Sequence, residues 1–225
     1  MTALSRSDAY FMIGVEFEDA WMARISAANP DMQIVDVSAN ITRIEMAADA
    51  HADEEDHSDG SENGHEIDPH VWTSPQNGIL IAGKIADTFI SLDPNHADEY
   101  RANLDALTTD IHTLQQDIEE ALSGLENRSF LVFHPSWGYF ADEFSLIQIP
   151  IEIGGSEPSP RELTYLMDLA TAQDIHVIFA QPEFSTRTAE NIAAEINGKV
   201  ILIDPLAEDW LDNLRQVAVT ISEAL

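Results

Sequence analysis

Cysteine is absent from the 225 residues, which excludes disulfides, thiolate catalysis and every cysteine-ligated metal site. Any metal centre in this chain must therefore be built from His, Asp and Glu. Positive charge is nearly as scarce. Forty-one acidic residues stand against ten basic ones, a formal net charge of −31, and only Lys84 and Lys199 among those bases are lysines. A surface of this sign repels phosphate backbones, so nucleic acid is not a partner. An acidic, lysine-poor exterior suits a halophilic or marine source; the plainer reading is a solvated acidic face. No apolar run approaches the roughly 18 residues of a membrane-spanning helix. The opening stretch MTALSRSDAYFMIG has no basic region followed by an apolar one, so it contains no signal peptide. There is also no G-x-S-x-G, no glycine-rich phosphate loop and no H-E-x-x-H.

What is present is an ordinary hydrophobic fraction, 44%, enough for a sizeable core in one large domain or two small lobes. DAYFMIGV at 8–15 predicts a buried strand. FEDAWMARISAANP then predicts a helix with Phe17, Trp21 and Ile25 at i, i+4, i+8, and QIVDVS a second strand. The segment 75–92 predicts another helix. From Asn95 to Leu122 the apolar positions Tyr100, Leu104, Leu107, Ile111, Leu114, Ile118 and Leu122 step by three or four, one stripe along a long helix. At ~1.5 Å per residue such a helix spans about 40 Å and can bridge two lobes. Beyond it, FLVFH (130–134), IQIPIEI (147–153), VIFAQ (177–181) and VILID (200–204) are each followed by a helical stretch. Four successive β-then-α units call for a parallel sheet flanked by helices, an α/β fold.

Between Glu45 and Asp68 the pattern changes. DAHADEEDHSDGSENGHEID has almost nothing apolar, no period, and three histidines, His51, His57 and His65. Its charge density predicts a disordered, solvated loop from about 48 to 66, and the interleaved imidazoles add weak metal capture.

In open parallel sheets ligands bind beyond the carboxyl ends of strands. His134 ends FLVFH and Asp204 ends VILID, and each is followed by proline. His70 lies in DPHVW, where the acidic loop gives way to ordered chain. Each has a plainer reading. A strand-end histidine is more often a hydrogen-bonded structural residue, Asp-Pro is a common turn or helix-start device, and HVW makes an ordinary packing cluster. His96, His112 and His176 read as structural or exposed. Carboxylates are so abundant that no acid pair singles itself out for catalysis.

SDAYFMIGVEFE, the acidic histidine-bearing loop, DPHVW, the long helix, FHPSWGYFADEF, EPSPREL and AQPEFSTRTAENIAAEINGKVILIDPL occur in that order over essentially the whole chain. Together they resemble the zinc/manganese substrate-binding proteins of ABC transporters, the ZnuA/TroA-like family. DPHVW and FHPSWGYF, spaced by a long helix, form a specific pair. The resemblance implies an N-terminal lobe over residues 1–94, a linking helix over 95–125 and a C-terminal lobe over 126–225, with a metal held in the cleft. It assigns ligands to His70, His134 and Asp204, the three positions that the strand-end argument selects.

Imidazole nitrogen with one carboxylate suits tetrahedral Zn2+ better than Mn2+, which favours more oxygen. The implied role is high-affinity capture of Zn2+, with Mn2+ as the alternative, and delivery to an ABC permease. The protein would work as a monomer in the periplasm or on the outer face of the membrane, without catalysis. A zinc-dependent hydrolase using the same His/His/Asp set, and an acidic metal-buffering or adhesion protein, are the competing classes. The family's first histidine ligand falls before Met1, so the reading expects a truncated first lobe with an exposed sheet edge that favours association.

Overall fold

The computed structural model describes residues 3–46, 67–152, 156, 158–182 and 186–225; the acidic segment with His51, His57 and His65 lies outside them. The chain divides into two compact units, interleaved in sequence: Met1–Thr42 with Ser74–Thr113, and Arg43–Thr73 with Leu114–Leu225.

In the first unit, β1 (Ala9–Met12) and β2 (Gln33–Asp36) pair in parallel around α1 (Glu16–Ala28). The carboxylate of Glu18, 3% exposed, ties the β1–α1 turn by accepting from the backbone N–H groups of Ile13, Gly14 and Val15. α2 (Pro75–Leu92) begins where Ser74 accepts from Asn77 N, with proline at the first turn. Phe89 of α2 meets Phe11 edge-on at 5.7 Å and Tyr100 at 5.5 Å. The expected stripe on α1 does not face the core throughout. Ile25 is buried, but Phe17 and Trp21 are 57% and 39% exposed and stack on each other at 5.8 Å, with Arg24 over the indole. Helical period reports spacing, not the face a helix turns inward.

The long helix is present as α3 (Ala97–Leu122), 26 residues preceded by a 3-10 turn at Pro94–His96. The division between units falls within it, and Leu114, Ile118 and Leu122 are buried in the second unit's core.

That core surrounds a four-stranded parallel sheet of β3 (Ser129–Val132), β4 (Ile147–Pro150), β5 (Val177–Ala180) and β6 (Lys199–Leu202), in the order β4-β3-β5-β6. Side chains alternate between two helical layers. Phe130, Val132, Val177 and Phe179 pack with α3, α4 (Gly138–Glu143) and α7 (Trp210–Ala224). Leu131, Phe133, Ile178 and Ala180 pack with α5 (Pro160–Ala172) and α6 (Arg187–Glu195). Burial on both faces explains why the central strands β3 and β5 read as continuous apolar runs.

Three helix-to-strand turns are built alike. Ser145, Asp174 and Asn197 adopt positive φ just past α4, α5 and α6. The next residue's N–H then closes on a carbonyl five residues back, as Leu146 to Ala141, Ile175 to Ala170 and Gly198 to Ala193. This is the left-handed helix stop that leads directly into a following strand.

From β3 the chain turns to β4, whereas from β5 it turns to β6 on the opposite side. The carboxyl ends of β3 and β5 therefore form the topological switch point of the sheet.

Candidate metal centre

His134 lies two residues beyond β3, at that switch point. The ladder continues past the strand ends: Phe133 N donates to Phe179 O, and Glu152 N donates to Phe133 O. β3 pairs with β4 so that Ser129 faces Ile147, and the same offset of 18 residues brings Glu152 to His134. Its carboxylate oxygen stands 3.0 Å from His134 Nδ1. On the other side, the β3–β5 offset of 47 residues places Gln181 opposite His134. The fully buried Gln181 amide donates to His134 O at 2.7 Å and to Ser136 Oγ at 2.8 Å. Register mates thus flank the histidine on both sides.

His70 sits on the segment that precedes the short turn Val71–Thr73. Asp68, 1% exposed, accepts from His70 N at 2.8 Å and faces His70 Nδ1 at 2.7 Å through the same oxygen. A carboxylate against Nδ1 selects the tautomer protonated there, which puts the imidazole lone pair on Nε2. Both histidines carry such a partner. Their ring centres are 5.3 Å apart at 78°. Two imidazoles bound through Nε2 to one tetrahedral ion at ~2.0–2.1 Å place their ring centres about 5 Å apart, so the spacing fits shared coordination. Neither ring is fully sequestered: the His70 and His134 side chains are 13% and 22% exposed.

Asp204 follows β6 by two residues. Its Oδ1 accepts from Leu206 N at 2.7 Å, and its carbonyl accepts from Asn213 Nδ2. This is the Asp-Pro turn of the plainer reading, and it is compatible with ligation. The two indoles link its neighbourhood to the His70 segment: Trp72 Nε1 donates to Pro205 O, and Trp210 Nε1 donates to Trp72 O, each at 2.8 Å. All three candidate ligands belong to the second unit. Side-chain geometry joins the two histidines. Among the described residues, no group of three or more His, Asp and Glu side chains stands ready around one ion.

The remaining described histidines lie elsewhere. His96 pairs with Asp93, His112 is exposed on α3, and His176 is held by Asp174 and the carbonyl of Ile196. Those two acceptors, the carbonyl first, raise the His176 pKa above the usual imidazole value. Sequence reasoning did not single out Asp68, Glu152 or Gln181. Asp68 was in view inside DPHVW; Glu152 was one carboxylate among many until strand register set it beside His134.

Over residues 1–224 the sequence matches the family described as zinc-uptake complex component A, periplasmic, ZnuA. The chain belongs to this family. A crystal structure of ZnuA gives a TM-score of 0.88 at 41% identity, over 99% of this chain and 81% of that one. A ZnuA deletion mutant with zinc bound gives 0.87 at 41% identity, over 99% and 80%. The zinc-binding protein AdcA of Streptococcus pyogenes serotype M3 (strain ATCC BAA-595 / MGAS315) is 28% identical over 211 residues, which are 89% of this chain and 41% of that protein. The chain therefore spans less than half the length of that relative. ZnuA-family architecture accounts for the α/β class, the parallel sheets flanked by helices and the long helix. Among the described residues, no helix is long and apolar enough to cross a membrane.

Proposed function

We propose that this chain captures Zn2+ through His70 and His134, with Asp204 as third ligand, and delivers it to an ABC uptake permease. The observation that carries the proposal is the pair of imidazoles 5.3 Å apart, each with Nδ1 against a carboxylate. Water, or a side chain outside the described residues, would complete the tetrahedron. Two nitrogen donors favour Zn2+ over Mn2+, whose sites are richer in oxygen. The family's periplasmic zinc-uptake description and the zinc-bound relative support the same ion and a site of work outside the cytoplasm. Capture and release make and break only coordinate bonds, so no catalytic residue is assigned. His51, His57 and His65 are proposed as weaker collecting sites.

Native mass spectrometry of protein exposed to equal Zn2+ and Mn2+ tests the reading. One tightly held Zn2+ per chain, lost in the His70→Ala/His134→Ala variant, is the expected result. Retention of that ion by the double variant would refute the assignment.

A further inference from the structure

We infer that Gly138 and Asp68 form a lock that sets the aim of His70, so that the first turn of α4 positions a ligand 68 residues away in sequence. The inference rests on the proposed metal reading for its zinc arm only.

Asp68 is almost wholly buried, and its two oxygens have different surroundings. Oδ1 holds His70 at both the backbone N–H and Nδ1. Oδ2 is buried with no hydrogen-bond partner among the described residues. Such an oxygen is costly, so the packing around it must hold it in place. Gly138 supplies that packing. A methyl group built on its Cα would run into Asp68 Oδ2, closer than real Cβ contacts come, and would also meet Ile44 Cδ1 at 3.2 Å. The carboxylate therefore points Oδ2 end-on into the space beside the glycine Cα that a side chain would fill. The next residue fixes the backbone: Tyr139 OH donates to Asp68 O at 3.0 Å and accepts from Ile44 N at 3.4 Å. Carboxylate, carbonyl and imidazole are set by two consecutive residues of α4, four and five positions after His134.

Gly138 is not among the residues with positive φ. Alanine thus fits the backbone there and is the better helix former. The one serious conflict that Gly138→Ala creates is with the Asp68 carboxylate. Displacing that carboxylate releases Nδ1 of His70 and turns its Nε2 away from the ion.

The test compares Gly138→Ala, Asp68→Ala and the double variant with the parent chain. Zinc affinity is read by competition with a chromophoric chelator. The His70 tautomer is read from imidazole 15N signals of metal-free protein, assigned by their loss in His70→Gln. Both single variants should bind zinc at least about tenfold more weakly, the usual cost of removing a carboxylate behind a ligating histidine. Both should also shift the His70 signals. The double variant should be no worse than Asp68→Ala, because the new methyl then meets no carboxylate. If Gly138→Ala fails to fold, rescue of folding by adding Asp68→Ala supports the lock, and failure of that rescue overturns it. Parent-like zinc affinity and unmoved His70 signals in Gly138→Ala, or additive losses in the double variant, also overturn it. If the parent binds no zinc, the tautomer arm decides alone: moved signals uphold the lock while the metal reading falls.

Discussion

Glu152 stands against His134 Nδ1 at 3.0 Å because the β3–β4 register carries on past both strands. The pairing makes the carboxylate part of the sheet's own geometry. Glu152→Gln should keep the fold and weaken zinc binding about ten- to hundredfold, as loss of a second-layer carboxylate does at histidine metal sites. His134→Ala should remove tight binding altogether. Chelator competition separates the two. Equal affinity in Glu152→Gln and parent would show that the carboxylate does not act on the ligand.

Tyr139 gives the second unit a sensitivity to alkali. Burial, followed by the nearby Asp68 charge, raises its phenol pKa above 10.0, against the lowering effects of Ile44 and Arg43. A raised folded value means that the folded state holds the proton more tightly. The associated stability is fully present below the unfolded value of about 10 and is lost as pH rises through the folded one. Urea midpoints measured from pH 8 to 11 should fall, and less steeply in Tyr139→Phe. The same variant should lose about 1–3 kcal/mol at neutral pH, because Asp68 O and Ile44 N lose their shared partner. Parallel pH profiles would remove Tyr139 from the account.

Deleting residues 48–66 should leave the melting temperature nearly unchanged while removing the extra, weaker zinc equivalents. Calorimetry on the shortened chain would show one steep binding phase in place of a steep phase with a shallow tail. A fall of more than a few degrees would mean that the acidic segment contributes to packing.

A net charge of −31 is a standing repulsion within the folded state. Going from about 0.01 M to about 1 M sodium chloride shortens the screening length from roughly 30 Å to roughly 3 Å. The melting temperature of metal-free protein should rise over that range. Flat behaviour would indicate that the acids are spaced widely enough, or paired well enough, to leave little repulsion to screen.

The fold was legible where local chemistry repeats. The apolar runs of β3 to β6, the helical stretch from Pro75 and the stripe of α3 each announce their element from local sequence. His134 was legible because it follows an apolar strand. Its partners were not, since Glu152 and Gln181 become neighbours only through offsets of 18 and 47 residues, which no local pattern encodes. Gly138 reads as one glycine of the helical stretch after FLVFH until Asp68 is found against it. Phe17 and Trp21 mark the opposite limit: their spacing is helical, yet which side of a helix turns outward depends on what the rest of the chain offers it.

The reciprocal indole contacts, Trp72 to Pro205 and Trp210 to Trp72, close across 133 and 138 residues. During synthesis the His70 segment emerges long before the strand that leads to Asp204 and before Trp210. With the proposed ligand set, a nascent chain carries its histidines unassembled, and tight metal capture would begin only when the last strand and helix dock. On the proposed reading, zinc would then act as a latch on the finished product. At a free concentration a hundredfold above Kd it would add about 2.7 kcal/mol to the folded state, so chains that have completed their C-terminal third are held folded while unfinished ones are not.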